Sequence, residues 1–323
     1  MRHLPWRAGV GSLLALALLC GRPAAVLAQL ACGAIVPAGA KVTLTGDIGP
    51  CAASAGNPAI TLSGGAKLDM GGHKVVCDDG DRPVGIQMEG KGAKLSRGGA
   101  QHCSVGLVVA GEGKHKVEDF VATDSSADGV VVASDKNKLR FVAATHNGDD
   151  GIDVDGTANK IEDSQAVDNF EDGIVADGGG NKLTRVAGVG NGDGGIDLNG
   201  SGNKVKGCTG TGNAEDGVNI DGDDNKVERC LFSHNGTGDD DDAGVEVEGD
   251  DNLVGKSILL DNDVRGLLVQ PGAGANVRKQ NLALGHGEDD LEDGNAGCGS
   301  NQWTKNRFGT SAAGGVDDPA CIE

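Results

Sequence analysis

Residues 147–168 read NGDDGIDVDGTANKIEDSQAVD, residues 169–190 NFEDGIVADGGGNKLTRVAGVG, residues 191–212 NGDGGIDLNGSGNKVKGCTGTG, and residues 213–234 NAEDGVNIDGDDNKVERCLFSH. The four lines superpose without a gap at a period of 22. Asn-Lys recurs at Asn137-Lys138, Asn159-Lys160, Asn181-Lys182, Asn203-Lys204 and Asn225-Lys226. A second asparagine column holds Asn147, Asn169, Asn191, Asn213 and Asn235, and a glycine follows four residues later at 151, 173, 195 and 217. A fixed period of this length marks a stacked repeat architecture, in which each unit packs only on its neighbours.

Within a unit the apolar residues alternate. Ile152 and Val154 become Ile174 and Ala176, then Ile196 and Leu198, then Val218 and Ile220. A second set runs Leu139, Ile161, Leu183, Val205, Val227, and a third pairs Val142 with Ala144 and Cys230 with Phe232. Three period-two stretches per unit predict three short strands per coil, with side chains alternately inside and outside. One coil buries too little apolar surface to offset its own ordering, so stability must come from coils above and below. The expected fold is all-β: a right-handed, single-stranded parallel β-helix of about ten coils. Asparagines are expected to take tight-turn geometry and stack on their equivalents, and glycines to occupy positive-φ positions.

The ends of such a rod need covers. Residues 29–58 are expected to form the front cover, 59–284 the repeats, and 285–323 the rear cover, where the repeat fades and Trp303 and Phe308 appear. Residues 1–28 read as an export signal: Arg2 and Arg7, an uncharged apolar run from Gly11 to Cys20, and small residues ending at Ala28. That run is too short to span a bilayer. Eight further cysteines in an exported chain favour disulfides, and spacing suggests Cys32–Cys51, Cys77–Cys103, Cys208–Cys230 and Cys298–Cys321. Only Cys208 and Cys230 have geometry set by the repeat, about 4.8 Å apart on one inward site; two buried thiols are the alternative.

Composition narrows the partners. The formal charge is −20, and loss of three arginines and no acid with residues 1–28 makes it −23. Nucleic acid, anionic lipid and acidic polysaccharide are repelled unless cations intervene. Fifty-seven glycines and no tyrosine suit a fold that turns constantly and packs small aliphatic side chains.

The repeats between about 60 and 284 resemble those of the pectate-lyase-like superfamily of right-handed parallel β-helix proteins. Leu68-Asp69-Met70-Gly71-Gly72-His73 resembles its first-coil signature, and Asn301-Gln302-Trp303 through Asn306-Arg307-Phe308 a tail found in many bacterial members. The resemblance implies fold and not activity, because the superfamily holds lyases, hydrolases, epimerases and adhesins. In its lyases, calcium on an acidic face bridges enzyme and acidic sugar.

The organised polar feature is an acidic strip. Outward positions after each glycine carry Asp153, Asp197 and Glu246; two residues on stand Asp155, Asp177, Asp221 and Glu248. Stacked carboxylates at about 4.8 Å repel by about 0.9 kcal/mol even in water. Calcium held by these seven acids would relieve that. The plainer alternative is that Asp, Asn and Gly simply form turns and keep the rod soluble, with the Lys138–Lys226 column offsetting part of the charge. A five-residue insertion between Asn235 and Gly244 adds Asp239-Asp240-Asp241-Asp242 beside the strip.

Signals for catalysis are sparse. Gly285-His286-Gly287 and Asp149-Asp150 match a polygalacturonase pattern but lie some six coils apart, so the match is read as chance. His146 and His234 read as turn residues, and almost no aromatics for sugar stacking are available outside the rear cover. The expectation is therefore an exported scaffold, secreted, periplasmic or on the cell surface, that binds or supports a structure, with calcium on the acidic strand. A polysaccharide or cell-surface component is the expected partner. The alternative is a divergent polysaccharide lyase or glycoside hydrolase with its cleft over that strand.

Overall fold

The computed structural model describes residues 25–236, 242–317 and 319–322. Most of the expected export signal, residues 1–24, and Asp239-Asp240-Asp241 of the insertion lie outside the described residues. Within them, no helix is long and apolar enough to cross a membrane.

The chain winds as a parallel β-solenoid of about 12 turns with almost no helix. Lys116, Lys138, Lys160, Lys182, Lys204 and Lys226 are direct register partners in succession. Two of the three faces run together where Lys94–Gln101, Lys116–Thr123 and Lys138–Thr145 continue around a corner. The third face carries the post-glycine strands, from Ala34–Val36 to Ile196–Asp197. It continues through bridges at Asn219 and Val218 into Ala243–Val247 and on to Ser311–Ala313. The turn count exceeds ten because winding extends into both stretches read as covers. Ala34–Val36 pairs with Ile60–Leu62 at one end, and Leu291–Asp293 with Ser311–Ala313 at the other. The last strand folds back antiparallel, Ala313 against Val316, and closes the sheet edge.

The core lies along the axis. Ile152, Ile174, Ile196 and Val218 form one fully buried column, and Leu139, Ile161, Leu183 and Val227 another. All four expected disulfides form, including Cys208–Cys230 with Cα atoms 4.5 Å apart. Such bonds persist in oxidising compartments. At the rear, Trp303 is buried, donates to Asp293 Oδ2 at 2.9 Å, and packs under the Arg278 guanidinium.

The asparagines stack on their equivalents as expected, but the turn geometry falls on their neighbours. Positive φ falls on the residue before each, such as Lys136, Ala158, Gly180 and Asp224, while the asparagines themselves are buried. Asn159 N–H donates to Asn181 Oδ1 at 2.7 Å, Asn181 N–H to Asn203 Oδ1, and Asn203 N–H to Asn225 Oδ1. The second column repeats the pattern from Asn147 to Asn262. A corner breaks the strand ladder, and a buried N–H without an acceptor is costly, so the side chain supplies one. His286 ends the second column by accepting from Asn262 N–H through Nδ1 at 3.1 Å, a structural use of the Gly-His-Gly motif. The column glycines also differ from expectation. Gly151 does not have positive φ; a Cβ there would lie 2.5 Å from Ala166 Cβ and 2.6 Å from Gly173 O. Lack of space, not backbone conformation, selects glycine.

Candidate functional site

The acids gather on the third face and on the corner leading into it. On the corner, Asp128, Asp150 and Asp172 stack 22 residues apart. Each points one carboxylate oxygen at the next coil: Asp150 Oδ1 accepts Asp172 N–H at 2.9 Å, and Asp172 Oδ1 accepts Gly194 N–H at 2.7 Å. Asp216 does the same for Ala243 N–H after the insertion. These residues are Asp for the reason the ladder residues are Asn, and the charge accompanies the acceptor.

That charge is poorly accommodated. Burial, with Asp172, Asp128 and Asp149 nearby, pushes the Asp150 carboxyl up to about 7. Burial and Asp155 push Asp153 to about 7. Asp172 and Asp197 rise to about 7 through burial and the charges of Asp197 and Asp221 respectively. Asp216, almost wholly buried against Glu246, is raised well above the usual carboxylate range. The lysine column gives no relief. Lys138 pairs with Glu162 at 2.9 Å and Lys226 with Glu228 at 3.2 Å, both on their own face. Among the described residues no Lys or Arg ion pair reaches Asp150, Asp153 or Asp172.

Of the seven acids expected to hold calcium, Asp153, Asp155 and Asp177 come together, with ligand oxygens all within 4.8 Å of one another. Asp149, Asp150 and Glu171 form a second such group, outside the seven expected ligands. Asp221, on the next coil, adds its charge against Asp197, and neither belongs to either group. Glu246 is buried, accepting from Gln270 Nε2 and contacting Asp216, and Glu248 is exposed on the following turn. One oxygen each of Asp153 and Asp197 is buried and accepts no hydrogen bond from the protein.

Next to the second acidic group the corner opens into a groove of about 650 Å³, lined by His146, Gly148, Asp168, Phe170, Glu171 and Asp193 among others. His146 Nε2 lies 3.7 Å from Asp168 Oδ2. Phe170 is 73% exposed. The expectation that stacking aromatics were confined to the rear thus missed this side chain. Its signal lay in the repeat, where the matching positions are Gly148, Gly192 and Ala214.

The model of the right-handed β-helix region matches residues 150–311. Curated protein sequences yield no match. Among solved structures, the A-module of the Azotobacter vinelandii mannuronan C-5 epimerase AlgE6 is similar, with a TM-score of 0.64 and 18% identity over 84% of this chain and 86% of that one. The periplasmic alginate epimerase AlgG gives a TM-score of 0.58 and 12% identity over 88% and 79%. The catalytic domain of a GH87 α-1,3-glucanase gives 0.54 and 11% over 83% and 60%. Identities this low speak for the fold alone. On the family match and the stacked coils together, the chain belongs to the right-handed β-helix family.

Proposed function

We propose that the protein is an exported β-helix scaffold that binds divalent cations on its acidic face and carbohydrate beside it. The observation that carries the reading is the pair of three-carboxylate groups, Asp149/Asp150/Glu171 and Asp153/Asp155/Asp177, with ligand atoms within 4.8 Å in each. All are hard oxygen donors of the kind calcium takes, and Asp153 Oδ1 is already desolvated without a protein donor. The residues therefore fit the ion. Bound calcium would supply the positive charge that no lysine or arginine brings to these carboxyls. Four disulfides support a secreted or periplasmic home. Support for carbohydrate comes from the structural relatives, whose names speak of mannuronan, alginate and glucan, and from the groove with its exposed phenylalanine.

The test is calorimetric titration of the chelator-treated protein with calcium, together with melting in calcium and in EGTA. Saturable binding and a higher midpoint in calcium are expected. No heat and identical midpoints would remove the cation from the account.

A second reading, a polysaccharide lyase or glycoside hydrolase, is favoured by one observation: Asp150 and Asp153 are held near pH 7, where a carboxyl can serve as general acid. Release of reducing ends or unsaturated products from a polysaccharide panel would establish it, and their absence would leave the scaffold.

A further inference from the structure

We infer that Phe170 is a stacking platform for one pyranose of a neutral, hydroxyl-rich glycan, seated in the corner groove between Asp168, Glu171 and Asp193; this rests on the carbohydrate-binding reading above.

The first argument is exposure. Phe170 leaves 73% of its surface in water, an apolar face that a ligand gains by covering. None of the described residues covers it. The equivalent positions one coil below and above are Gly148 and Gly192, and neither has room for a side chain. A Cβ at Gly192 would sit 1.9 Å from Phe170 O, and one at Gly148 would sit 2.7 Å from Ser126 O. The ring therefore stands alone on a floor that the fold keeps bare on both sides.

The second argument is rigidity. Phe170 N–H donates to Asn147 O at 3.0 Å. Beneath it, Asn147 Nδ2 donates to Asn169 Oδ1 at 2.8 Å and Asn169 Nδ2 to Asn191 Oδ1 at 3.0 Å. The backbone under the ring is part of the asparagine ladder, so little order has to be gained on binding.

The third is the chemistry of the rim. An aromatic face takes the CH face of a sugar ring, and the carboxyl groups of Asp168, Glu171 and Asp193 surround it chiefly with hydrogen-bond acceptors. A ligand here must bring donors and no negative charge, which a neutral pyranose with several hydroxyls does. Uronate chains, without a bound cation, meet a protein of formal charge −20. A polycationic amino sugar would bind anywhere along the acidic strip, with steep salt dependence and no need of the ring.

The experiment is titration of the full chain with neutral glucose hexasaccharides of different linkage, beside uronate and glucosamine hexamers, at low and high salt. At least one neutral hexamer is expected to bind, independently of salt. Phe170→Ala should weaken it about tenfold and Phe170→Trp should retain it. Phe141→Ala, an exposed phenylalanine on another face, should leave binding unchanged. The inference falls if no neutral hexamer binds, if Phe170→Ala binds as well as the parent, or if uronate or glucosamine hexamers bind as tightly through Phe170. Glycan binding that ignores Phe170 overturns this site while leaving a carbohydrate scaffold. Glu171 belongs to both the groove and a cation group, so the glycan titrations are run in EGTA, where binding through Phe170 is read apart from the cation sites.

Discussion

Asp153 and Asp197 stand on one outward column two coils apart, and Val175 lies between them as the register partner of both. A column that looks continuous in the sequence is thus divided by an apolar side chain that is itself nearly buried. Asp153 joins Asp155 and Asp177 on one side, and Asp197 meets Asn219 and Asp221 on the other. The division interrupts the strip of charge at Val175.

Stability should fall as pH rises through neutrality. Asp150, Asp153, Asp172 and Asp197 have folded values near 7 against an ordinary 3.8. Between those two values the folded chain holds protons that the unfolded chain has released. Stability is therefore fully present below about pH 4 as far as these groups are concerned, and is lost progressively up to about 7. In EGTA the melting midpoint is expected to be lower at pH 8 than at pH 5, with calcium recovering part of the difference at pH 8. A midpoint that climbs from pH 5 to 8 in EGTA would contradict the burial of these carboxyls.

Asp153→Asn separates charge from shape. The amide keeps the side-chain volume and removes the charge that burial and Asp155 oppose. In EGTA at pH 8 the variant should melt higher than the parent, and its gain on adding calcium should be smaller. A variant that melts lower in EGTA and gains as much from calcium would separate Asp153 from cation binding.

The interior ladder predicts a loss of a different kind. Asn181 accepts from Asn159 N–H at 2.7 Å and donates through Nδ2 to Gly178 O at 2.7 Å. Asn181→Ala leaves both groups buried without a side-chain partner, at a cost of about 1–3 kcal/mol. Urea unfolding measures it. An effect within error would mean that the corner N–H groups find other acceptors.

The coil period and the buried columns were legible because stacking admits only small aliphatic side chains at fixed intervals, and 22 residues separate each rung from Lys116 to Lys226. The end coils were harder to read. Ile60 and Ile86 are register partners 26 residues apart, and Leu291 and Ser311 only 20, so loops of changing length hide the winding. The asparagines looked like turn formers because Asn tolerates positive φ. The structure gives that conformation to Lys136 and Ala158, which no local preference would select, because coils on both sides hold the corner. Asp153, Asp155 and Asp177 could be placed from spacing alone. Asp149, Asp150 and Glu171 could not be assembled that way, since they sit on the bend, where pitch gives no bearing on direction. Phe170 was overlooked because a count of aromatics says nothing about where one stands.

Two glycines on one coil should respond to alanine to different degrees. Gly173 has no positive φ, but a Cβ there would lie 2.5 Å from Gly195 O and 2.6 Å from Asn191 Nδ2, both held by neighbouring coils. Gly173→Ala must push backbone or ladder aside, at about 1–3 kcal/mol. Gly180 has φ +69°, where L residues are ordinarily strained, yet its Cβ would meet nothing within 4 Å. Its equivalent one coil earlier is already alanine, Ala158, at φ 56°. The strain of about 1–2 kcal/mol is partly offset because alanine also restricts the unfolded chain. Gly180→Ala is therefore expected to melt closer to the parent than Gly173→Ala. If the order were reversed, backbone conformation and not space would govern the glycines of this rod.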